Sequence, residues 1–406
     1  MHNTPAYDVI IVGGGMTGLA LACMLAQKTS LSIVILESQS HSHPWSASRY
    51  SHRVSAITLS SKRIFESLGV WDSIRNKRVG PFAQIDVWDA VLHSEIVFES
   101  KEIAEPFLGY IIENTVIQST LEEKIRQYSQ VELISSVKLT RFIEHEHAIE
   151  LVADDKRVFM AKLVVAADGA NSWLRSQAQI DLERFDYAEE AIVATVHTAL
   201  PHQAVARQVF LETGPLAFLP LADTYVSSIV WSLPVKEAAR LMALDEDHFQ
   251  HVLARAFQHR LGDIVRIEQR YAFPLYKQIA ASYVKSHVVL VGDAAHSVHP
   301  LAGQGVNMGL LDAASFTDIM VEAIENHRDI TNVMCLRRYE RWRKADNFAM
   351  LTGIDAIKNV FASNKKSIKT MRFMGLTATN RMTWIKNIFT RHAVGDRAGL
   401  PSMARG

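Results

Sequence analysis

The sequence predicts an α/β fold in which a mainly parallel sheet is covered by helices, antiparallel strands are inserted into the chain, and a helical tail follows. Three observations support this fold class. Wholly apolar strands at 9–12, 163–167 and 288–291 are typical of a parallel sheet that is buried on both faces. Each of these strands runs directly into a glycine-containing turn. The stretches 82–98 and 191–233 instead alternate apolar and polar residues, which indicates half-buried antiparallel strands.

The first apolar strand leads into a glycine motif with the spacing Gly13-x-Gly15-x-x-Gly18. Gly13 permits a tight turn, Gly15 lets a ligand approach the backbone, and Gly18 brings helix and strand close together. A run of helix-forming residues follows, and a second apolar strand ends in Glu37, where a carboxylate can accept hydrogen bonds from a ribose. A tight loop without a ligand is the alternative, but strand, helix, second strand and acid together favour a dinucleotide site.

The other two apolar strands end in polar turns that mirror each other in sequence. One is followed by Asp168-Gly169 and the other by Gly292-Asp293. Ligands of open α/β sheets bind at the carboxyl ends of the strands, so both turns are candidates for the same site. A βα turn with no contact to a ligand remains the alternative. A glycine-rich loop follows Asp293, and a helix is predicted to begin near Val306.

Three other side chains invite a functional interpretation. Arg53 precedes a predicted helix at 60–68 and could reach the phosphates, although an ordinary surface cation fits equally well. His296 and His299 suggest a metal site, but no Cys or carboxylate accompanies them at ligand spacing. The sequence therefore predicts no metal.

The composition indicates a folded globular protein. Of its 406 residues, 48% are hydrophobic and 21% are charged. Two cysteines, Cys23 and Cys335, are too few for a disulfide framework. No apolar run approaches the roughly 18 residues that span a bilayer, and the first strand begins close to residue 1 without a signal peptide before it. These features predict a cytoplasmic protein.

Charge is distributed unevenly along the chain. Lys and Arg together number 43, as do Asp and Glu, so the formal net charge is zero. Ten of the bases but only one acid, Asp396, lie between 358 and 405, which leaves a net charge of −9 on the rest. Such a basic tail is expected to attract an anionic membrane surface or to pack against the protein itself, and we do not expect nucleic acid as a partner.

The order of the predicted elements divides the chain into two interleaved domains and a tail. The first domain comprises 1–78, 109–182 and 281–350, with a helix at 114–128 and a short strand at 131–134. The second domain comprises 79–108 and 183–280, with a helix at 246–258 and a last strand at 266–274. Residues 351–406 form the tail. Residues 142–152 and 157–162 are expected to form a small hairpin over the nucleotide site.

The three motifs, in this order, resemble the fingerprints of group A flavoprotein monooxygenases, namely an N-terminal glycine motif, an Asp-Gly motif and a Gly-Asp motif. The segment 299–312, His-Pro-Leu-Ala-Gly-Gln-Gly-Val-Asn-Met-Gly-Leu-Leu-Asp, resembles the signature of the ubiquinone-biosynthesis hydroxylases of the UbiH, UbiI and UbiF group. The segments 214–220 and 352–361 are most similar to the UbiH type. This resemblance implies that the first domain is a Rossmann-like FAD-binding domain and that the second domain carries the substrate.

The resemblance also implies roles for individual residues around FAD. Glu37 is expected on the adenosine ribose, Arg53 near the phosphates, Gln118 near the ribityl chain and Asp293 on the ribityl hydroxyl groups. The residues expected at the flavin ring are Pro300, Gly303, Gln304, Gly305 and Asn307.

The implied reaction is hydroxylation of a polyprenylated phenol in ubiquinone biosynthesis, with NADPH or NADH as electron donor and O₂ as co-substrate. The 2-polyprenyl-6-methoxyphenol step is favoured, and hydroxylation at another ring carbon is the first alternative. A flavin-dependent isoprenoid reductase and a non-catalytic flavin-bound scaffold subunit are the others. No second glycine motif is present, so the nicotinamide is expected to bind transiently, and no residue identifies itself as a phenol-activating base. Expected partners are a biosynthetic complex or the inner face of the membrane, with a homo-oligomer as a further alternative.

Overall fold

The structure is a computed structural model, and it describes residues 6–40, 45–92, 94–297, 305–362, 395 and 399–405. Twenty strands lie within these residues, in chain order β1 (Ala6–Val12), β2 (Ile33–Leu36), β3 (Val54–Ile57), β4 (Gly80–Phe82), β5 (Gln84–Asp89), β6 (Glu95–Glu99), β7 (Gly109–Glu113), β8 (Val131–Ile134), β9 (Leu139–Glu144), β10 (Ile149–Ala153), β11 (Val158–Ala166), β12 (Leu182–Thr198), β13 (Val205–Leu211), β14 (Gly214–Pro220), β15 (Val226–Pro234), β16 (Ile264–Ile267), β17 (Tyr271–Ala280), β18 (Val284–Lys285), β19 (Val288–Leu290) and β20 (His296–Ser297). The α-helices of the same residues are α1 (Met16–Lys28), α2 (Leu59–Ser67), α3 (Trp71–Lys77), α4 (Asn114–Ile125), α5 (Trp173–Gln177), α6 (Val235–Met242), α7 (Glu246–Ala256), α8 (Gly305–Glu325) and α9 (Val333–Ala362).

The first sheet has a parallel centre in the order β19-β11-β1-β2-β8. Its strands are apolar because helices cover both faces: every residue of β2, for example, is buried. Helix α1 is buried from Gly18 to Ala26, because its small and aliphatic residues pack under the sheet and against α8 and α4. The three predicted apolar strands thus become neighbours, β1 lying beside β11 and β11 beside β19.

The second sheet is largely antiparallel, in the order β20-β17-β12-β15-β14-β13-β5-β6, with β16 paired to β12. Only β13 and β5 run parallel. One face of this sheet packs against α6 and α7 and forms a separate core that includes Ile192, Val209, Phe218 and Trp231. A small third sheet, β3-β7-β4, connects the two.

Most predicted elements are confirmed. The expected helix at 114–128 is α4, the strand at 131–134 is β8, and the helix at 246–258 is α7. The boundaries between the predicted domains stay a prediction, although α9 runs without a break past residue 350.

The predicted hairpin of 142–152 and 157–162 forms in part, as β10 paired antiparallel with β11, but its predicted location over the nucleotide site was wrong. Residues 158–166 form one continuous strand, and β10 pairs with its first half, Val152 lying opposite Val158 and Ile149 opposite Ala161. The Asp-Gly turn follows the other end of β11. The hairpin of β9 and β10 therefore extends the sheet at the edge away from the candidate site.

The C-terminal end of the chain is not simply a basic tail. Leu400, Met403 and Ala404 are buried in the main core. Asp318 of α8 accepts hydrogen bonds from the backbone N–H and the hydroxyl of Ser402, at 2.8 and 2.6 Å. Most of the predicted tail lies outside the described residues. Within the residues that the structure describes, no helix is long and apolar enough to cross a membrane.

Candidate cofactor-binding cleft

The glycine loop between β1 and α1 has the close contacts that its sequence predicts. Gly13 has a positive φ of 109°, and a Cβ atom there would overlap the carbonyl group of Ala167. A Cβ atom on Gly18 would overlap the carbonyl oxygen of Gly13. By contrast, a Cβ atom on Gly15 would meet nothing within 4 Å. Gly13 and Gly18 are therefore required by packing, whereas Gly15 borders open space at the start of a helix.

The N-terminus of α1 faces this open space. Gly15 is the N-cap residue and no side chain caps the helix, so the first-turn N–H groups are available to an anion. Glu37 lies beside the loop, where its Oε2 accepts a hydrogen bond from the Gly14 N–H at 2.6 Å and its Oε1 accepts one from the Gln39 N–H at 2.7 Å. A carboxylate has about four acceptor sites, so this one can still accept ribose hydroxyl groups. Gln118 of α4 donates to the Gly14 carbonyl oxygen at 3.1 Å, which places it at the glycine loop.

The Asp-Gly turn lies next to the glycine loop at the carboxyl end of β11. Asp168 accepts a hydrogen bond from the Leu174 N–H in the first turn of α5, at 3.1 Å. Burial raises the pKa of its carboxyl group, against the hydrogen bonds from Ser172 and Leu174. Its Oδ1 is buried and has no partner within the structure, which is consistent with a further ligand. Gly169 has a φ of 83° and open space around it.

A buried arginine that sequence reasoning missed joins the Asp-Gly and Gly-Asp turns. Arg175 donates to the carbonyl oxygens of Ala294 at 2.8 Å and Ala170 at 3.0 Å. Because these carbonyls belong to the two turns, the guanidinium group fixes the turns relative to each other. Its position three residues after the N-cap Ser172 gave no signal of this role.

The Gly-Asp turn packs against α1 on one side, whereas its aspartate is exposed on the other side. Gly292 has a φ of 58°, and a Cβ atom on it would lie 3.2 Å from the side chain of Thr17. Asp293 is exposed, yet surrounding protein atoms desolvate its carboxylate and raise its pKa, while His296 and Arg53 act in the opposite direction. A side chain that is accessible to solvent but has protein atoms on several sides is typical of the wall of a cleft. Asp293 can therefore meet a ligand bound between the two sheets.

Arg53 lies beside β17 of the second sheet. Its guanidinium group lies over the ring of Phe273 in β17, 5.7 Å from the ring centroid, and the neighbouring His52 stacks on Tyr271 at 4.0 Å. Among the described residues, no hydrogen bond or ion pair joins the Arg53 side chain to the glycine loop. Its contact with phosphates stays a prediction.

The residues predicted at the flavin ring are described only in part. Pro300, Gly303 and Gln304 lie outside the described residues. Gly305 begins α8 and has open space where a Cβ atom would be. Asn307 accepts a hydrogen bond from the Thr58 N–H at 3.0 Å and donates to the Ala56 carbonyl oxygen at 2.8 Å. It thereby ties the start of α8 to the strand that precedes α2.

The loop that leads to Arg53 depends on a second arginine that the sequence did not single out. Arg78 donates to the carbonyl oxygens of Ser46 at 2.8 Å and Arg49 at 2.7 Å, lies over the ring of Tyr50 and pairs with Glu113 at 2.7 Å. These contacts come from residues up to 35 positions apart in sequence. No local pattern could have indicated them.

A row of four side chains, none of them charged, lies on the face of the second sheet opposite α6 and α7, with the polar Gln208, Ser228 and Thr195 beside it on the same face. Ala217, Val230, Val193 and Tyr271 stand directly opposite one another on four consecutive strands. Directly paired residues share one face of a sheet, and this face is opposite the core packed on α6 and α7. Since His52 contacts Tyr271, this end of the row faces the segment that leads into β3. We call these four residues the cleft wall.

Fold and site together define a class of protein. Three turns lie at one edge of the first sheet: the glycine loop between β1 and α1, the Asp-Gly turn and the Gly-Asp turn. They border open space beside Gly15 and Gly169, and the Glu37 carboxylate lies next to the glycine loop. These residues fit a dinucleotide cofactor, and the accessible Asp293 fits its polyhydroxylated linker. A model of the FAD binding domain family matches residues 6–350. The chain is an FAD-dependent monooxygenase.

Comparison with curated proteins narrows the class. The chain is 35% identical over 395 residues to the 3-demethoxyubiquinol 3-hydroxylase of Escherichia coli, covering 97% of this chain and 100% of that protein. It is 34% identical to the ubiquinone hydroxylase UbiL of Rhodospirillum rubrum, covering 96% and 89%, and 33% identical to the human mitochondrial monooxygenase COQ6, covering 94% and 91%. The chain therefore belongs to the family of ubiquinone-biosynthesis hydroxylases.

Solved structures show the same fold at lower sequence identity. The p-nitrophenol 4-monooxygenase PnpA of Pseudomonas putida matches with a TM-score of 0.79 at 17% identity, covering 97% of this chain and 99% of that chain. PqsL of Pseudomonas aeruginosa matches with a TM-score of 0.75 at 22% identity, covering 92% and 100%. The predicted fold class, a Rossmann-like FAD-binding fold with an inserted antiparallel sheet, is confirmed.

Proposed function

We propose that this protein hydroxylates the aromatic ring of a polyprenylated phenol in ubiquinone biosynthesis, with FAD as cofactor, O₂ as co-substrate and NADPH or NADH as a transient electron donor. The observation that carries the proposal is the apolar row of the cleft wall on the second sheet, in a chain that resembles ubiquinone-biosynthesis hydroxylases over nearly its whole length. When bound, FAD supplies the chemistry that activates O₂.

The wall suits a substrate with an aromatic ring and an alkyl chain. Val193 and Val230 are only half-buried, so they present apolar surface to the cleft, and Ala217 beside them leaves room for a ring. Tyr271 and Phe273 extend this surface along β17 towards the loop that carries His52 and Arg53. Binding there would remove water from the reacting ring and hold it by van der Waals contact.

The chain's own polar residues are assigned to the cofactor. We assign Glu37 to the adenosine ribose, the N-terminus of α1 to the pyrophosphate, and Asp293 to the ribityl hydroxyl groups. Gly13, Gly18 and Gly292 set the backbone that presents these groups, since a side chain at any of them would collide with or crowd its neighbours. Gln118, Asp168 and Gly169 border the same space.

Two ring positions are candidates. The segment 214–220, most similar to the UbiH type, favours the 2-polyprenyl-6-methoxyphenol step. The full-length similarity to a 3-demethoxyubiquinol 3-hydroxylase favours the later hydroxylation. We propose the first as the principal activity and the second as the alternative.

Mass spectrometry of the quinone precursors in a strain that lacks the gene tests both. Accumulation of 2-polyprenyl-6-methoxyphenol, reversed by the wild-type gene, is the expected result. Accumulation of the demethoxyubiquinol precursor would support the alternative, and normal ubiquinone would contradict a role in this pathway. Turnover that persists without O₂ would instead indicate an isoprenoid reductase.

The substrate's chain also suggests where the enzyme works. A long isoprenoid stays in the membrane, so we propose peripheral contact with an anionic membrane surface or a membrane-bound complex through the bases between 363 and 394. These residues lie outside the described part of the chain.

A further inference from the structure

A buried ionic network lies next to the Gly-Asp turn. The carboxylate of Asp312 in α8 accepts hydrogen bonds from the Gly292 N–H at 3.0 Å and from His296 Nε2 at 2.6 Å. Its other oxygen accepts from Arg343 Nε at 2.8 Å and Asn347 Nδ2 at 3.1 Å, both on α9. The side chains of Asp312 and His296 are inaccessible, and that of Arg343 is 1% exposed.

Fold stability alone does not explain such a network. A buried ion pair must offset the cost of removing both charges from water, and well-packed apolar residues of similar volume often stabilise a protein as well or better. The carboxylate of Asp312 nonetheless stays ionised: burial would raise its pKa, but His296 and Arg343 together hold the pKa at about 2. The Asp312 carboxylate therefore remains a hydrogen-bond acceptor for the Gly292 N–H.

That acceptor holds the turn that carries Asp293. The Gly292 N–H is fixed by Asp312, while the Gly292 Cα side is confined by Thr17 of α1. Strand β20 then pairs with β17 of the second sheet immediately after the turn. The direction of the Asp293 side chain into the cleft is set by these contacts.

We propose that Asp312, held by Arg343 and His296, is a positioning residue for FAD: it orients Asp293 towards the cofactor although neither Asp312 nor Arg343 reaches the cleft. This inference rests on the proposed role of Asp293. Helix α9 thus contributes to cofactor affinity through the carboxylate of Asp312.

The test is a double-mutant cycle on the FAD dissociation constant of the apoprotein, measured by quenching of FAD fluorescence. Asp293→Asn and Asp312→Asn are each expected to weaken binding about ten-fold, as is typical for loss of a hydrogen bond to a charged group. If Asp312 acts through Asp293, the double variant binds FAD no more weakly than the weaker single variant. If the fold-losses of FAD affinity in the two single variants multiply in the double variant, the inference is overturned.

A milder variant and a matched control accompany the cycle. Arg343→Lys keeps the charge but cannot reproduce the fork to Asn347, so a loss of about three-fold is expected in the wild-type background and none in the Asp293→Asn background. This variant replaces Asp312→Asn in the cycle if circular dichroism shows that Asp312→Asn does not fold. Arg338→Met removes another arginine of α9, whose partner Glu322 lies on the surface, and should leave FAD affinity unchanged.

The outcomes separate the two proposals. An unchanged dissociation constant in Asp293→Asn would overturn the role of Asp293 and this inference with it. Two other results would overturn this inference but not the role of Asp293, provided that Asp293→Asn weakens FAD binding as expected. One is that the losses of FAD affinity multiply in the double variant, and the other is that Asp312→Asn folds and binds FAD as tightly as the wild type.

Discussion

Two glycines of the same motif have different physical reasons to be glycine. Gly18 is confined by the Gly13 carbonyl, whereas Gly15 borders open space at the N-terminus of α1. The sequence spacing indicated both, but only the surrounding atoms separate a packing requirement from a ligand requirement.

This difference predicts opposite phenotypes for the two alanine variants. Gly18→Ala should lower the unfolding free energy of the apoprotein by about 1–3 kcal/mol, because the added methyl group overpacks the helix against the strand. Gly15→Ala should cost at most about 1 kcal/mol as an N-cap change, yet weaken FAD binding, because its methyl group points into the space assigned to the pyrophosphate. Urea unfolding of the apoproteins and FAD titration check both. Equal loss of stability in the two variants would contradict the assignment.

At Gly305 the expected effect is on catalysis. Because a Cβ atom at this first residue of α8 meets nothing within 4 Å, Gly305→Val should fold, with a stability cost below about 1 kcal/mol. If the preceding loop approaches the flavin with its backbone, the valine side chain blocks that approach and abolishes turnover. Near-normal hydroxylation in a folded Gly305→Val protein would show that the flavin ring lies elsewhere.

At the scale of elements, the two longest helices of the described chain meet through one buried carboxylate. Asp312 on α8 binds Arg343 and Asn347 on α9, and the same group binds β20 through His296. The signature at 299–312 contains the aspartate, but its partners lie 31 and 35 residues away. Helical periodicity alone could not have paired them.

The lowered pKa of Asp312 predicts a specific pH dependence. Its folded-state pKa of about 2 lies below the ordinary value of 3.8, so its ionised form contributes stability that is present above pH 3.8 and is lost as the pH falls towards 2. The difference in unfolding free energy between the wild-type apoprotein and Asp312→Asn should therefore shrink as the pH falls from about 4 to about 2. Urea unfolding at several pH values measures it, and a constant difference would contradict the ionised state.

At the scale of the whole molecule, the C-terminal end changes how the tail can be studied. Leu400 and Met403 are buried against the main core, so deleting the tail to its end would also remove core side chains worth about 1.5–3 kcal/mol each. If such a deletion abolished membrane binding, the loss could result either from the missing basic residues or from unfolding of the protein. Substitutions that leave 399–406 in place are required.

Charge neutralisation within the tail gives a cleaner prediction. Replacing Lys365, Lys366 and Lys369 by Gln should weaken binding to anionic vesicles about 100-fold, since each base near an anionic surface is worth about 1 kcal/mol. FAD affinity should not change.

A triple variant of Arg75, Lys101 and Arg338 is the control, because these exposed bases lie on the body of the protein. Co-sedimentation with vesicles that contain phosphatidylserine measures both variants. Equal losses in the two triple variants would show that the tail has no special role.

Sequence by itself determined the parts of this protein that depend on local sterics and periodicity. The glycine spacing, the apolar strands ending in Asp-Gly and Gly-Asp, and the alternating strands identified the fold class. They also predicted Gly13, Glu37, Asp168 and Asp293 as residues of one site, which stays a prediction. These signals are readable because a turn that only glycine can adopt, or a strand buried on both faces, restricts residues that are close together in the chain.

Only the tertiary structure decided how those parts are held and what faces them. Asn307 binds Thr58 across 249 positions, and Arg175 joins two turns across 119. The same is true of the cleft wall, whose four residues share a face through pairing between strands, and of the C-terminal residues that return to the core. Contacts of this kind depend on which surfaces folding brings together, and a long sequence separation leaves no period or spacing that could announce them.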